Sequence, residues 1–290
     1  MFKPPLNLKK ARVLICNDDG IGAPGITRLE KVMRGLAKEV WVVAPELEQS
    51  GTAHSLTLRD PLRIRKISAR KYAVAGTPTD NVLLAVNRIM KGFRPDLVLS
   101  GFNRGANVGE DMTYSGTIAA AIEATLLGVP AIALSQQVDD KVPDDDKSAP
   151  MPVLWSTAEH FAPIVIERLT KVQWPRDVLM NVNFPACPVD KITGMTVTRE
   201  GRRKVADEII EGRDPRGRPY YWIGAQQGPD KYVRGTDLNA LAHHQVSITP
   251  VTVDLTHYAT VRKLRKVFSV PEGAKRKPKP QVQTRKAKAA

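Results

Sequence analysis

The sequence predicts an α/β fold in which helices flank a mostly parallel β-sheet. Short, continuous apolar runs such as Arg12–Cys16 and Leu97–Ser100 are typical of strands that are buried on both faces. Segments with apolar residues at helical spacing, such as Pro24–Lys38, lie between such runs. Strands that alternate with helices indicate a parallel, doubly wound sheet rather than a meander of hairpins.

The first half of the chain follows this pattern closely. A strand at Arg12–Cys16 leads through a polar turn into the helix Pro24–Lys38, and a second strand follows at Val40–Ala44. Leu56–Ile67 and Lys71–Ala75 resemble short strands of a hairpin. The later predictions are a helix at Pro78–Met90 capped by Thr77, a strand at Leu97–Ser100, a glycine- and asparagine-rich loop at 101–116, a helix at Thr117–Leu127 and a strand at Ala131–Ser135.

The pattern changes in the second half. An acidic, exposed loop is expected at 139–150, followed by a helix at Val153–Lys171 and a strand at Val178–Phe184. Beyond residue 190 the sequence instead predicts an extended β-arm, with strands at 192–200, Tyr220–Ile223 and Val246–Leu255. We therefore predict three parts: an α/β core at 1–190, a β-arm and C-terminal segment at 191–270, and a basic tail at 271–290.

Composition and charge narrow the class of protein. The chain has 290 residues, of which 42% are hydrophobic, and a formal net charge of +14, which suits anionic substrates. Residues 271–290 contain seven basic residues, one acid and three prolines, so we expect a disordered tail. That tail favours contact with nucleic acid only weakly, since a solvated extension has the same composition.

The sequence also carries expectations about location. Cys16 and Cys187 are the only cysteines, too few for a disulfide scaffold. The N-terminal residues have no apolar stretch typical of a signal peptide, and the most apolar long segment, Thr117–Leu134, is interrupted by Glu123 and Pro130. We expect a cytoplasmic protein without a membrane span.

The acidic turn Asn17-Asp18-Asp19-Gly20 is the clearest candidate for chemistry. It follows the first strand, and open α/β sheets bind ligands at the carboxyl ends of their strands. Adjacent carboxylates repel unless a cation lies between them or one is protonated, and their hard oxygens suit Mg²⁺, Mn²⁺ or Ca²⁺. The alternative is that one aspartate caps the helix that follows, and the residues alone leave both interpretations open.

Other polar residues fall at neighbouring strand ends. Ser50 and Asn103 could complete a coordination sphere with neutral oxygens, although each residue type is more often found in a turn. The stretch Tyr114–Thr117 precedes a helix made of small residues, and Ser115 and Thr117 could form an anion site there, or a serine or threonine could simply cap the helix. His54 is expected near the same mouth. The chain lacks a Gly-x-Ser-x-Gly turn, a Walker-type loop and a Cys-x-x-Cys pair, which argues against serine hydrolases, ATPases and zinc sites.

Taken together and in this order, these clusters resemble the SurE family (survival protein E, 5′/3′-nucleotidase). The resemblance spans about residues 11–185 and continues weakly beyond them. The matching stretches are Ile15–Ile21, Ala23–Ile26, Val43–Pro45, Gln49–Gly51, Ser55–Leu58, Gly76–Asp80, Pro95–Asn107, Tyr114–Ala121 and Pro130–Ala133, and more weakly Asn181–Pro185, Thr236–Asp237 and Ile248–Pro250.

The resemblance implies a Rossmann-like core and a metal-dependent hydrolase of nucleoside monophosphates. It implies that Asp18, Asp19, Ser50 and Asn103 bind one divalent cation, Mg²⁺ or Mn²⁺, with the two aspartates as catalytic residues. It further implies a phosphate site lined by Asn107, Ser115, Gly116 and Thr117. The β-arm and a swapped C-terminal segment would join subunits into homodimers or homotetramers.

Three other functions remain to be weighed. A nucleic-acid-binding protein is favoured by the net charge, but the charge is concentrated in the tail. A catalytically silent assembly protein would have no use for the paired acids. A dinucleotide or nucleotide-sugar enzyme would need a Gly-x-Gly-x-x-Gly turn after the first strand, where this chain has Asn17-Asp18-Asp19-Gly20.

Overall fold

A computed structural model describes residues 5–138, 153–203, 209–223 and 232–268. The chain divides into two compact units, residues 1–253 and 254–290. The predicted acidic loop at 139–150 and the predicted disordered tail at 271–290 both lie outside the described residues. The predicted division of the chain at residues 190 and 270 stays a prediction.

Nine strands of the first unit form one sheet in the order β3-β4-β2-β1-β5-β6-β7-β11-β8. The strands pair in parallel from β4 to β7, while β3 and β11 each run antiparallel to a neighbour. This confirms the mostly parallel α/β fold. The strands are β1 (Arg12–Cys16), β2 (Glu39–Pro45), β3 (Ile64–Ser68), β4 (Lys71–Val74), β5 (Leu97–Arg104), β6 (Ala131–Gln136), β7 (Val178–Phe184), β8 (Gly194–Val197) and β11 (Gln245–Thr252).

Helices cover both faces of this sheet. Successive residues of β5 point to opposite faces, so Leu97 and Leu99 pack in one apolar cluster and Val98 in the other. Helices α1 and α4 pack in the first cluster, and α2 and α3 pack in the second. The helices of the first unit are α1 (Pro24–Arg34), α2 (Pro78–Leu84), α3 (Gly116–Leu126), α4 (Trp155–Leu169) and α5 (Asp237–Ala242).

Helices α1 and α2 end four or more residues earlier than the sequence predicts. Helix α1 ends at Arg34 rather than Lys38, because Gly35 caps it and the backbone N–H of Lys38 donates to the carbonyl oxygen of Leu8 instead (3.1 Å). Helix α2 begins as predicted, with Thr77 and Asp80 forming a reciprocal capping box. It then changes to a π-helical turn at Ala85–Ile89, closed by a bond from Met90 N to the carbonyl oxygen of Ala85 (2.8 Å).

The predicted β-arm is present as a separate hairpin. Within the described residues, strands β9 (Ile209–Arg213) and β10 (Pro219–Ile223) pair only with each other, in antiparallel register. Their apolar side chains are exposed, and Trp222 is 66% exposed. The strand predicted at 192–200 is shorter, as β8, and the one predicted at Val246–Leu255 ends at Thr252. Exchange of the C-terminal segment between subunits stays a prediction.

Two C-terminal helices were not predicted from the sequence. Helix α5 is short and is capped by Thr236, whose side chain accepts a bond from Asn239 N. Helix α6 (Tyr258–Phe268) lies in the second unit and has no buried residue. Among the described residues, none of the helices combines the length and the apolar character that a membrane span requires.

Candidate active site

The acidic turn lies where the sequence predicts it, directly after β1. Helix α1 has Ala23 as its N-cap and receives no side-chain cap, so neither Asp18 nor Asp19 caps the helix that follows. The capping alternative is therefore wrong. The turn is shaped by Gly20, which has a φ of +98° and whose carbonyl oxygen accepts a bond from Asn17 Nδ2 (3.0 Å).

Asp18 joins the acidic turn to the N-terminus of α3. Its carboxylate Oδ1 accepts a bond from the hydroxyl of Thr117 at 2.5 Å, and the side chain is only 4% exposed. Gly116 lies so close that a Cβ there would fall 2.9 Å from Asp18 Oδ2. Burial raises the pKa of Asp18, against the opposing effect of the Thr117 bond. The absence of a side chain at Gly116 is thus required for Asp18 to reach the helix.

Asp19 is held by the end of β5. The backbone N–H of Arg104 donates to Asp19 Oδ2 at 3.3 Å. Burial, followed by the charge of Asp18, raises the pKa of Asp19 to about 7. Glu48 adds to the negative potential and raises the pKa of both aspartates. Three carboxylates therefore share one electrostatic environment, and a divalent cation would offset most of their negative charge.

This electrostatic environment predicts a pH-dependent stability of the metal-free protein. Asp19 has a pKa of about 7 in the folded chain, against an ordinary value of 3.8 for an aspartate, so only the folded chain holds the proton between these values. The contribution of Asp19 to the free energy of unfolding is thus complete below about pH 4 and is lost as the pH rises to about 7.

Urea denaturation in EDTA at a series of pH values checks this expectation. Wild type should lose stability relative to Asp19→Asn between about pH 4 and 7, because an asparagine does not titrate. Above that window the difference should stay constant. Two stability curves that run parallel over the whole window would contradict the perturbed titration of Asp19.

The loop after β2 brings Ser50 toward the acidic turn. The backbone N–H of Gln49 donates to the carbonyl oxygen of Asp18 at 2.8 Å, and Ala53 N donates to the carbonyl oxygen of Tyr114 at 3.3 Å. Ser50 itself is exposed, and its hydroxyl donates to Glu48 Oε1 at 2.9 Å. The sequence reasoning missed Glu48, because an isolated glutamate in a polar loop carries no distinguishing pattern.

Asn103 lies on β5, which continues to Arg104, four residues into the predicted loop. The side chain is 9% exposed, and its Nδ2 donates to the carbonyl oxygen of Gly105 at 2.8 Å. The next residue, Arg104, donates its backbone N–H to Asp19. The strand therefore places Asn103 beside a residue that contacts the acidic turn. This arrangement leaves the carbonyl oxygen of the Asn103 side chain as its remaining acceptor.

The predicted phosphate residues occupy two different environments. Ser115 caps α3, since its hydroxyl oxygen accepts a bond from Ile118 N at 3.0 Å. The hydroxyl of Thr117 donates to Asp18, so its hydrogen is engaged there. What remains for an anion at this end of α3 is the positive end of the helix with its first-turn backbone N–H groups and the hydroxyl hydrogen of Ser115.

Asn107 is bound to the ends of β6 and β7 rather than to α3. Its side-chain Nδ2 donates to the hydroxyl of Ser135 at 2.9 Å, and its backbone N–H donates to Asn183 Oδ1 at 2.8 Å. Asn181 and Asn183 both donate to the carbonyl oxygen of Asn107, at 2.8 and 3.0 Å. The sequence reasoning did not identify this network, although two asparagines at i and i+2 within a buried strand are an unusual pattern.

His54 contacts the side chain of Glu123 on α3. Its Nε2 lies 3.1 Å from Glu123 Oε2, and the two side chains are 35% and 11% exposed. Since Ala53 is bonded to Tyr114, His54 lies one residue from the contact that joins the two loops. This is consistent with a place at the edge of the candidate site.

The side chains around the acidic turn fit a hard divalent cation. Buried, adjacent carboxylates supply charge, and Asn17 Oδ1 is a buried oxygen without a hydrogen-bond partner in the described part of the chain. The donors are oxygens, as Mg²⁺ and Mn²⁺ prefer. Within the described residues there is no group of three or more His, Cys, Asp or Glu side chains that could hold a metal, so neutral oxygens would have to complete the ligand set.

Comparison with known proteins points to one family. The model of the family described as "Survival protein SurE" matches residues 13–207. A protein of Paramagnetospirillum magneticum named 5'-nucleotidase SurE is 55% identical over 267 residues, which cover 92% of this chain and 99% of that protein. One of the same name from Parvibaculum lavamentivorans is 50% identical over 93% of this chain and 96% of its own length. The crystal structure of the SurE protein from Aquifex aeolicus matches with a TM-score of 0.76 and 36% identity, covering 88% of this chain and 99% of that one.

Proposed function

The chain belongs to the survival protein SurE family, and from this we propose that it is a 5'-nucleotidase that hydrolyses nucleoside monophosphates to nucleoside and inorganic phosphate. Relatives that share about half of its residues over nearly their whole length bear the name 5'-nucleotidase. The reaction is a metal-dependent hydrolysis of a phosphomonoester. We propose 3'-nucleotides as further substrates, because their hydrolysis uses the same chemistry.

The direct link between Asp18 and the start of α3 is the observation that carries this proposal. A cation site and an anion site meet at the 2.5 Å bond between Thr117 Oγ1 and Asp18 Oδ1. A phosphate monoester needs both, because its dianion must be bound and its charge neutralised while water attacks phosphorus. The two sites at one sheet edge therefore support phosphoryl hydrolysis over simple anion binding.

The chain's own residues divide the work as follows. Asp18, Asp19, Ser50 and Asn103 would hold the divalent cation, and the cation would supply positive charge against the phosphate and make water more acidic. Asp19 is the more exposed of the two carboxylates, and it orients the attacking water and accepts its proton.

The phosphoryl group is bound by Asn107, in the loop after β5, and by residues at the start of α3. Asn107 donates from its side chain, and Ser115 from its hydroxyl. Gly116 and Thr117 contribute backbone N–H groups of the first helical turn. The hydroxyl of Thr117 keeps Asp18 in place, since it is already bonded to that carboxylate. Binding by fixed backbone dipoles costs little reorganisation as negative charge shifts during the reaction.

We further propose one Mg²⁺ or Mn²⁺ per subunit and a cytoplasmic homodimer or homotetramer. The exposed apolar side chains of β9 and β10 suit a subunit contact, and they include Tyr221, Trp222 and Ile223. Cys16 and Cys187 are unpaired and buried, as expected of a protein in a reducing compartment. The basic tail at 271–290 is a candidate for contact with nucleic acid, with charge as its only support.

A phosphate-release assay over a panel of nucleotides tests the proposed function. Purified protein with Mn²⁺ or Mg²⁺ should release inorganic phosphate from nucleoside 5'-monophosphates, and excess EDTA should abolish the release. Restoring the metal should restore the activity, because chelation removes the cation and leaves the carboxylates chemically unchanged. Phosphate release that is equally fast in EDTA would contradict a metal-dependent reaction, and no release from any nucleotide would contradict a nucleotidase.

A further inference from the structure

A row of buried polar residues crosses the sheet beside the candidate site. The register pairs Asn103 of β5 with Ser135 of β6, and Ser135 with Asn183 of β7. Both Ser135 and Asn183 are fully buried, where a polar side chain is expensive unless it is bonded. The three residues lie near the carboxyl ends of neighbouring strands, the edge at which the acidic turn follows β1. Because these polar residues are buried near the candidate site, we expect them to have a role beyond packing.

Asn183 binds the main chain of Asn107 on both sides. Its Oδ1 accepts from the backbone N–H of Asn107 at 2.8 Å, and its Nδ2 donates to the carbonyl oxygen of Asn107 at 3.0 Å. A side-chain amide that pairs in this way imitates a neighbouring strand and fixes both peptide groups that flank the bound residue. Asn181 strengthens the arrangement, because its Nδ2 donates to the same carbonyl oxygen at 2.8 Å.

Ser135 fixes the side chain that this main chain carries. Its hydroxyl oxygen accepts from Asn107 Nδ2 at 2.9 Å, which selects one rotamer of Asn107. An amide nitrogen carries two hydrogens, so the bond to Ser135 leaves the second one for another acceptor. Asn107 is only 7% exposed, so little of it is in contact with solvent.

We infer that Asn183 and Ser135 are positioning residues that hold Asn107 where its side chain contacts the phosphoryl group of the substrate. The inference rests on the proposed function, in which Asn107 binds phosphate. Asn183 fixes the main chain of Asn107 and Ser135 fixes its side chain, so neither has to touch the substrate. Asn183 and Ser135 act through the side chain of Asn107, which they hold in place before the substrate binds. A donor fixed in this way loses little conformational entropy when it binds developing negative charge.

The inhibition constant of inorganic phosphate tests this directly. Unlike kcat, an inhibition constant does not depend on the fraction of folded enzyme, so a loss of stability alone leaves it unchanged. Asn183→Ala and Ser135→Ala should each raise it about 10- to 100-fold, since a misplaced binding group can cost that much. The affinity for Mn²⁺ should change little. Ser247→Ala is the matched control, because Ser247 faces Asn183 across β11 and β7 but bonds to Thr198.

A double variant separates positioning from independent binding. If Asn183 acts through Asn107, then Asn107→Ala alone should raise the inhibition constant as much as Asn107→Ala combined with Asn183→Ala. Effects that multiply in the double variant would overturn the inference. So would an unchanged inhibition constant in Ser135→Ala, which removes one hydroxyl and can be measured even if Asn183→Ala does not fold.

The outcomes also separate this inference from the proposed function. If wild type releases no phosphate from any nucleotide, the proposed function fails, and the same variants are then compared by calorimetric titration with inorganic phosphate. In that titration, an equal affinity of wild type and Ser135→Ala overturns the inference as well. If wild type is active but the variants bind phosphate as tightly as wild type does, the inference alone is wrong.

Discussion

Asp18→Asn is expected to lower kcat/KM for a nucleoside 5'-monophosphate by about 1,000-fold or more with Mn²⁺ present. The substitution keeps the shape of the side chain and its acceptor for Thr117, but it removes the negative charge of a buried carboxylate. The loss should therefore arise from the missing charge rather than from altered packing. Steady-state phosphate release, normalised to folded protein, measures the effect.

Asp19→Asn should show a loss of similar size, since the proposed reaction uses both carboxylates. Asp177→Asn serves as the control, because Asp177 is exposed and precedes β7, at the amino end of a strand whose carboxyl end faces the site. It should retain wild-type activity. If Asp18→Asn and Asp19→Asn both stay within about tenfold of wild type, a barrier change of only ~1.4 kcal/mol, catalysis does not depend on this turn.

Gly25→Ala is expected to destabilise the protein by about 3 kcal/mol or more. A Cβ at residue 25 would fall 2.0 Å from the carbonyl oxygen of Phe102 and 3.0 Å from the ring of Trp155. The close contact is with backbone, which cannot rotate away as a side chain could. Alanine gains about 1 kcal/mol of helix propensity over glycine, which is too little to offset the clash.

The free energy of unfolding in urea measures this effect, and Gly22→Ala is the matched control. Gly22 lies three residues earlier, in the connection between β1 and α1 and just before the helix that contains Gly25, and a Cβ there would meet nothing within 4 Å. The control should stay within about 0.5 kcal/mol of wild type. Equal stabilities of the two variants would contradict the close packing of α1 on the end of β5. That end of the strand also contains Asn103.

The sheet and its helices could be predicted from the sequence because local signals agreed with the fold. The apolar runs at β1, β5, β6 and β7 are buried on both faces, and a run of that kind has few alternatives to a central parallel strand. Helix α2 likewise begins where Thr77 and Pro78 indicate. The acidic turn was found for the same reason, since its place after a buried strand follows from the order of elements.

The remaining features depend on contacts between distant segments. The choice between a helix cap and another role for Asp18 was open in the sequence. In the structure Ala23 is the N-cap of α1, and the carboxylate of Asp18 instead accepts a bond from Thr117, 99 residues away. The network around Asn107 joins three segments in the same way, and Asn183 lies 76 residues from it in sequence. Helix α1 ends early because Lys38 bonds to Leu8 rather than within the helix. Residue spacing along one segment carries no record of such pairs.

Titration of the metal-free protein with Mn²⁺, followed by the electron paramagnetic resonance signal of the free ion, tests most directly whether the acidic turn is a metal site. Wild type should bind one Mn²⁺ per chain, and the combined variant Asp18→Asn with Asp19→Asn should lose at least about 100-fold in affinity. Equal affinity and stoichiometry in wild type and the double variant would show that these carboxylates do not bind the cation.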